Sequence, residues 1–302
     1  MHGQKRGELV VGAIIDYIKF LKSDFNFNIT IHEKSGRLLR LDPALVEYNI
    51  HQTPYCLCVK SVHELWDMCV KKQWKVYEKA KKCDIFYGSC YAGMEEFVLP
   101  IKNGDEVCGF VSVCGYCKDF NQAKKKIMSF ADKYRLSPDI LLNAYQNSTS
   151  SDIPNEKTVK TLITPLCAML ELLYVKSEKY FSDVDMGYEA SYIYAHVVAY
   201  LKKAYQTKVT LKDLSALCHC SNSYISHLFK KSCGMSISRY TNLLRLTEAK
   251  KLLKNTHISI KQISERTGFS DSNYFSNSFK KEFGISASEY RKQKETKEEQ
   301  QS

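Results

Sequence analysis

The stretch Thr210-Leu-Lys-Asp-Leu-Ser-Ala-Leu217 decides the fold of the C-terminal third, because its pattern recurs 49 residues later as Ser259-Ile-Lys-Gln-Ile-Ser-Glu-Arg266. After a short turn, each copy continues with a second related segment. These segments are Asn222-Ser-Tyr-Ile-Ser-His-Leu-Phe-Lys-Lys231 and Ser272-Asn-Tyr-Phe-Ser-Asn-Ser-Phe-Lys-Lys281, which are 50 residues apart. Similar segments in the same order predict two copies of one structural unit.

Each copy has the signals of a helix-turn-helix. The first helices open with capping pairs three residues apart, Thr210 with Asp213 and Ser259 with Gln262. Gly268 is suited to a tight turn, and Gly234 and Gly284 lie where a left-handed C-cap ends the second helix. Helical spacing predicts that the following side chains pack inward: Tyr224, Leu228, Phe229, Tyr274, Phe275 and Phe279.

A third helix, over residues 237–254, is predicted between the two units. At 1.5 Å per residue it would be about 27 Å long. Major-groove segments on one side of DNA recur about every 34 Å. Lengths alone therefore allow two recognition helices on adjacent segments of the groove.

Residues 191–292 resemble the DNA-binding domain of the AraC family of bacterial transcription regulators. The marks that carry the resemblance include Phe229-Lys-Lys, Arg245-Leu-x-x-Ala249, Thr267-Gly-Phe-Ser-Asp271, Phe279-Lys-Lys and Tyr290-Arg291. Two positions depart from the family, Ser264 where Ala is usual and Ala287 where Pro is usual. The resemblance implies an all-α domain with two helix-turn-helix units, at about 210–234 and 259–284.

The resemblance also implies which residues face double-stranded DNA. In the first unit they are Asn222, Ser223, Ser226, His227 and Lys230, and in the second Ser272, Asn273, Ser276, Asn277 and Lys280. Asn can form two hydrogen bonds with adenine, and Ser can serve several bases. Lysines are better suited to phosphates, which fix position without specifying sequence.

Charge follows the same division of the chain. The net charge is +11, and the residues from Gly187 onward hold 19 Lys or Arg against 10 Asp or Glu. A basic surface on the helix-turn-helix half is what phosphate binding requires. No secretory signal and no long uninterrupted apolar run is present, so we expect a cytoplasmic protein that does not cross a membrane, with its 12 cysteines reduced.

The N-terminal half has the pattern of an α+β domain of the PAS or GAF type. Helices are predicted over residues 7–22, 62–80, 121–143 and 156–181, with a loop over 147–155. Strands are predicted over 28–32, 36–41, 96–101 and 106–115, the last two joined by the hairpin signal Asn103-Gly104.

Short signatures in this half resemble the PocR sensory domain, which is often joined to an AraC-type output. They include Tyr55-Cys56, Cys69, Cys90-Tyr-Ala-Gly-Met94, Leu99-Pro-Ile101 and Gly109. The resemblance implies a small-molecule effector, such as a diol or another simple hydrocarbon derivative, bound near Tyr55, Cys56, Cys69, Cys90 and Tyr91. Tyr91 stands where the family usually has His, which favours a different ligand.

The cysteines allow three interpretations. They can line a core or a pocket, they can bind zinc through Cys114-x-x-Cys117 and another pair, or they can form a redox sensor. We favour the first, so we expect no metal and no cofactor, and a redox- or metal-responsive regulator is the alternative. A thiol-based enzyme is disfavoured because the chain has no phosphate-binding glycine loop, no His-Glu-x-x-His and no nucleophile elbow.

These observations predict four segments. Residues 1–181 form the sensory domain, 182–190 a linker, 191–292 the DNA-binding domain and 293–302 a charged, frayed tail. The apolar stripe of helix 156–181 either closes the sensory core or forms a homodimer seam. The expected function is a ligand-responsive transcription regulator, which would also contact RNA polymerase if it is an activator.

Overall fold

The structure of the protein is a computed structural model that describes residues 2–33, 35–38, 44–178 and 187–299. The chain divides into two compact units, Met1–His196 and Val197–Ser302. The predicted linker over 182–190 lies outside the described residues as far as 186, and a helix begins at Tyr188.

The first unit is α+β. Its helices are α1 His2–Phe25, α2 Pro54–Lys60, α3 His63–Ala80, α4 Phe120–Tyr134, α5 Pro138–Gln146 and α6 Glu156–Glu178, with a short 3-10 helix at Leu45–Tyr48. Its strands are β1 Asn28–Glu33, β2 Phe86–Ser89, β3 Glu95–Asn103 and β4 Glu106–Tyr116. They form one antiparallel sheet in the order β1-β4-β3-β2. The predicted β3–β4 hairpin is confirmed, and Gly104 in its turn has a φ of 62°.

Side chains of the sheet alternate between two covered faces. Phe97, Leu99 and Val111 point to one face and share a core with α1 and α6. The face of Val98 and Phe110 packs instead with Tyr77 of α3. Because successive residues of a strand point to opposite faces, Glu96 and Ser112 also belong to this second face.

Two elements differ from the sequence prediction, and both differences have local causes. The strand predicted over 36–41 is wrong in its described part, because Arg37 and Leu38 are helical, and 39–41 lie outside the described residues. The buried Glu33 carboxylate accepts hydrogen bonds from the backbone N–H groups of both, at 3.1 and 3.2 Å, which turns the chain at the end of β1. The single helix predicted over 121–143 is two helices, because Arg135 adopts a left-handed conformation, φ 53°, and Pro138 opens the next helix.

Helix α6 contributes its predicted apolar stripe to the core of the first unit. The buried members of the stripe are Val159, Ile163, Leu166, Leu170, Leu173 and Tyr174. A dimer seam along this stripe is therefore wrong, because the stripe is already covered. Glu156–Ser177 is long and apolar enough to cross a membrane by length and composition alone, and its place in this core accounts for that composition.

The second unit is all-α. Helix α7, Tyr188–Ala204, contains the division between the units. The helices that follow are α8 Leu211–Cys218, α9 Asn222–Cys233, α10 Ile237–Asn255, α11 Ile260–Arg266, α12 Ser272–Phe283 and α13 Ala287–Glu299. Both capping boxes are formed, and Gly234 and Gly284 have left-handed C-cap conformations. Helix α13 continues to Glu299, so residues 293–299, which we expected to fray, are helical.

Candidate nucleic-acid interface and ligand cavity

Helix α9 is the candidate recognition helix of the first helix-turn-helix. It begins at Asn222 because the Ser221 side chain accepts a hydrogen bond from the backbone N–H of Tyr224 at 3.2 Å. Ile225 and Phe229 are buried, and Phe229 packs edge-on against Tyr240 of α10 with ring centroids 5.4 Å apart. All five side chains predicted to face DNA are exposed: Asn222, Ser223, Ser226, His227 and Lys230.

Helix α12 repeats this arrangement. The Asp271 carboxylate caps it by accepting the N–H of Asn273 at 2.7 Å. Phe275 and Phe279 anchor the inner face, with ring centroids 5.8 Å apart. Its five predicted DNA-facing side chains are also exposed: Ser272, Asn273, Ser276, Asn277 and Lys280.

Tyr224 and Tyr274 differ from the prediction that they pack inward. Tyr224 is 43% exposed and Tyr274 is 52% exposed. Each occupies the third position of its helix, beside the first buried residue, so it lies at the border of the outer face. The Tyr274 hydroxyl accepts a hydrogen bond from Asn242 of α10 at 2.8 Å. The sequence repeat indicated that these two tyrosines share one role, because an aromatic residue occurs at the third position of both helices.

Helix α10 is tied to the second helix-turn-helix. Arg239 forms a 2.8 Å ion pair with Glu282 of α12. Arg245 donates to the carbonyl oxygens of Tyr205 and Thr207, at 2.7 and 3.0 Å. At 1.5 Å per residue, the 19 residues of α10 span about 28 Å between the two helix-turn-helix segments.

The turn of the second helix-turn-helix depends on glycine. Gly268 has a φ of 86°, and a Cβ there would lie 2.5 Å from the Gln206 carbonyl oxygen. Gly284 also has a positive φ, 79°, but open space surrounds its Cα. The first position therefore requires glycine for both its conformation and its contact, and the second only for its conformation.

A cavity of about 430 Å³ lies in the first unit, on the sheet face that α3 covers. Its walls come from α2, α3, β2, the segment around Cys90 and the start of β3. The structure brings all five residues predicted for ligand binding to this one cavity: Tyr55, Cys56, Cys69, Cys90 and Tyr91. A wider groove of about 770 Å³, near the end of α1 and the loop that precedes α6, contains none of them.

Two thiols of this cavity, Cys56 and Cys90, are held as neutral groups. Burial raises the pKa of Cys56 and that of Cys90 above the usual value of 9.0. The thiolate is the form that binds metals and reacts with oxidants. Over the described ranges of the chain, no three His, Cys, Asp or Glu side chains are grouped as a metal site would require.

A polar cluster lies among these apolar and sulfur-containing groups. His51 Nε2 is 2.9 Å from Ser112 Oγ and 3.4 Å from Glu96 Oε2. Burial raises the pKa of Glu96 to about 7, which its hydrogen bond with Ser112 only partly offsets. Burial, with help from the nearby Lys60 ammonium, lowers the pKa of His51 to about 3. At neutral pH His51 is uncharged, and Glu96 is close to its titration midpoint.

Sequence reasoning missed the polar members of the cavity, namely Glu96, Gln73 and the lysines. Lys60 is buried, and its Nζ donates to the His51 carbonyl oxygen at 2.8 Å. Glu96 Oε2 and Gln73 Oε1 are buried atoms with no hydrogen-bond partner within the described residues. The sequence feature that could have revealed Glu96 is the pair Glu95-Glu96 at the start of an apolar strand. Only the pairing register of that strand shows to which face of the sheet each glutamate points.

Comparison with known proteins identifies both units. Residues 38–177 match the family model of the sensory domain found in PocR, and residues 214–293 match a helix-turn-helix domain model. The chain joins a PocR sensory domain to an AraC-type DNA-binding domain. Both resemblances inferred from the sequence are confirmed.

Individual relatives cover one or both domains. The regulatory protein PocR of Salmonella typhimurium is 25% identical over 278 residues, which cover 83% of this chain and 88% of PocR. The HTH-type transcriptional regulator YisR of Bacillus subtilis is 43% identical over 93 residues, which cover 31% of this chain and 32% of YisR. The C-terminal domain of the response regulator YesN from Fusobacterium nucleatum, a solved structure, is 34% identical, covers 32% of this chain and 93% of that chain, and has a TM-score of 0.30. The chain thus spans about a third of YisR and most of PocR.

Proposed function

We propose that the protein controls transcription in response to a small metabolite bound in the 430 Å³ cavity of its PocR sensory domain. Helices α9 and α12 would then recognise adjacent segments of the major groove. The observation that supports the DNA-binding part of this proposal is that an exposed, polar second helix occurs twice in the chain. Asn and Ser lie along each one, and two lysines lie in its last turn.

In this proposal the two kinds of residue have different roles. The exposed Asn, Ser and His side chains contact base edges, and the lysines contact phosphates. The test is selection of a binding site from a random duplex library with the full chain, followed by affinity measurements at increasing salt. Each phosphate contact should contribute about −0.9 to the log–log slope. An affinity that does not change with salt would contradict the proposal.

The proposal for the sensory domain rests on the fact that residues far apart in sequence line one cavity. Residues from four separate stretches of sequence, among them Tyr55, Cys69 and Cys90, line one space of a size suited to a small ligand. The PocR resemblance favours a diol or another simple hydrocarbon derivative. The test is a thermal-shift screen of the full chain with short diols, alcohols, amines and carboxylates, followed by DNA affinity with each hit. A hit that stabilises the protein and changes DNA affinity would support the proposal, and a screen in which every stabilising compound leaves DNA affinity unchanged would contradict it.

The alternative, a redox- or metal-responsive regulator, has less support. Its thiols would need thiolate character, whereas burial raises the pKa of both Cys56 and Cys90. DNA affinity that changes with thiol oxidation and with no metabolite would select this alternative.

The remaining partners belong to the same proposal. We expect a cytoplasmic protein that contacts RNA polymerase if it is an activator, and a homodimer is the expected oligomer. The covered stripe of α6 does not serve the dimer, but a second stripe does fit one. Pro165, Ala168, Leu172 and Val175 are all exposed at alternating spacings of three and four residues, as in a coiled-coil seam.

A further inference from the structure

Charge is distributed unevenly around the cavity of the sensory domain. Four lysines line it: Lys60, Lys72, Lys75 and Lys79. Among its described lining residues, Glu96 is the only carboxylate, and its raised pKa of about 7 leaves it only partly ionised at neutral pH. The cavity therefore carries a positive potential, which favours an anionic ligand.

The lysines on α3 and directly after its end fall into two groups, those that line the cavity and those that do not. Lys71 and Lys81, which do not line the cavity, form ion pairs with Asp67 and Glu78 at 2.8 and 2.6 Å. The three lysines that do line it have no carboxylate within ion-pair distance in the described chain. They lie at positions i, i+3 and i+7, on one face of the helix: Lys72, Lys75 and Lys79.

The ammonium groups of two cavity lysines also lie over aromatic rings that line the cavity. The Lys79 ammonium lies 4.1 Å from the centroid of the Phe86 ring, and the Lys72 ammonium lies 5.4 Å from that of Tyr91. Both rings line the same cavity. These contacts hold positive charge at the mouth, where a ligand would enter.

The inner wall of the cavity favours a hydrogen-bond donor on the ligand. Glu96 Oε2 and Gln73 Oε1 are buried acceptor oxygens with no hydrogen-bond partner among the described residues. Leaving a buried acceptor unsatisfied costs about 1–3 kcal/mol. A ligand hydroxyl that reaches either oxygen, after a small side-chain rotation, would supply the missing donor.

We propose that the effector is a small hydroxylated anion, with its oxyanion at Lys72, Lys75 and Lys79 and a hydroxyl directed toward Gln73 and Glu96. This inference rests on the proposed function, since it takes the cavity as the effector site, and it narrows the class of effector. Carboxylate and phosphate present the same oxyanion chemistry, so both are included in the test.

The test is isothermal titration of the full chain with matched probes. The hydroxylated anions are glycerate, gluconate and glycerol 3-phosphate. Glycerol, sorbitol and 1,2-propanediol supply hydroxyls without charge, and propionate and hexanoate supply charge without hydroxyls. At least one hydroxylated anion should bind about tenfold more tightly than every probe of the other two sets, a difference of about 1.4 kcal/mol. Equal or tighter binding of a neutral polyol, or no binding by any hydroxylated anion, would overturn the inference.

Variants locate the site of binding. Lys72→Met and Lys75→Met should each weaken binding of the best anion by about tenfold, because each removes one charge-assisted hydrogen bond. Lys71→Met, in the same helix, and Lys81→Met, directly after its end, remove lysines that do not line the cavity and should leave affinity unchanged. Equal losses in both pairs would show a general charge effect and would overturn the assignment.

DNA affinity separates this inference from the proposed function. If a neutral diol binds and changes DNA affinity, the effector class is wrong while the regulatory function stands. If a hydroxylated anion binds through these lysines but leaves DNA affinity unchanged, the ligand class stands while the regulatory role is wrong.

Discussion

Replacing Glu96 with Gln tests the electrostatics of the cavity. The Glu96 side chain is 12% exposed. Burial raises its pKa from 4.5 to about 7, because the ionised carboxylate loses more hydration than its surroundings return. The neutral acid is therefore the stable form in the folded protein up to about pH 7.

This difference in pKa makes stability depend on pH. Below pH 4.5 the carboxyl group is protonated in both the folded and the unfolded chain. Between pH 4.5 and 7 the unfolded chain releases its proton while the folded protein keeps it, so the free energy of unfolding falls as pH rises. At about 1.4 kcal/mol for each pH unit, the loss reaches roughly 3 kcal/mol above pH 7. Gln has no proton to release, so the Glu96→Gln variant should lack this loss.

His51 acts in the opposite sense and must be separated from Glu96. Its pKa is lowered from 6.5 to about 3, so its contribution to stability grows as pH rises through that interval. His51 is present in both proteins, so subtraction of the variant from the wild type removes the part of its contribution that does not depend on the charge of Glu96. The difference in unfolding free energy between the two proteins is therefore the quantity to measure.

Urea unfolding followed by tryptophan fluorescence provides that quantity for the sensory domain alone. The two tryptophans of the chain, Trp66 and Trp74, both lie on α3, so the signal does not include the DNA-binding domain. The wild-type value minus the variant value should fall by about 3 kcal/mol between pH 4.5 and 7.5. Glu106→Gln, at an exposed carboxylate of the same sheet, is the matched control for loss of a glutamate charge. A difference for Glu96→Gln that is constant or rises with pH would refute the reasoning.

Three further predictions concern the DNA-binding domain and assembly. Gly268→Ala should destabilise that domain by clearly more than Gly284→Ala, because only the first Cβ would meet a carbonyl oxygen at 2.5 Å. For Gly284→Ala we expect a loss of about 1–2 kcal/mol from the left-handed backbone alone. Equal losses of melting temperature by calorimetry would contradict this prediction. Asn277→Ala should reduce discrimination between a selected site and random duplex by about 1–3 kcal/mol, whereas Lys280→Ala should weaken binding to both duplexes alike. Fluorescence anisotropy measures both affinities, and the same effect for the two variants would contradict their different roles. Under the proposed homodimer through this stripe of α6, Leu172→Glu, at a side chain 63% exposed, should sediment as a smaller species than the wild type, and equal sedimentation of the two proteins would contradict a seam there.

Much of the fold could be predicted because its signals are local. A capping box joins residues three apart, and the Asn103-Gly104 turn joins adjacent strands, so short windows of sequence specify both. The two helix-turn-helix units were predicted from such signals and from their repetition. The inward orientation expected for Tyr224 and Tyr274 was wrong because helical spacing alone does not fix the width of a buried face.

The cavity depended on contacts that no short window contains. The five predicted ligand residues come together only when α2 and α3 cover the second face of the sheet. The charge on the cavity was also visible only in the structure, because periodicity does not show that Lys72 borders the cavity while Lys71 pairs with Asp67.

Spacing along the chain predicted the two helix-turn-helix units and their exposed helices, and short motifs carried the resemblance to the two families. The fold was needed to show that Glu96 Oε2 and Gln73 Oε1 are buried oxygens without a hydrogen-bond donor among the described residues, beside a row of lysines. The physical reason is that burial and electrostatic potential depend on every group that surrounds a side chain. Those groups are supplied by strand register and helix packing between residues far apart in sequence.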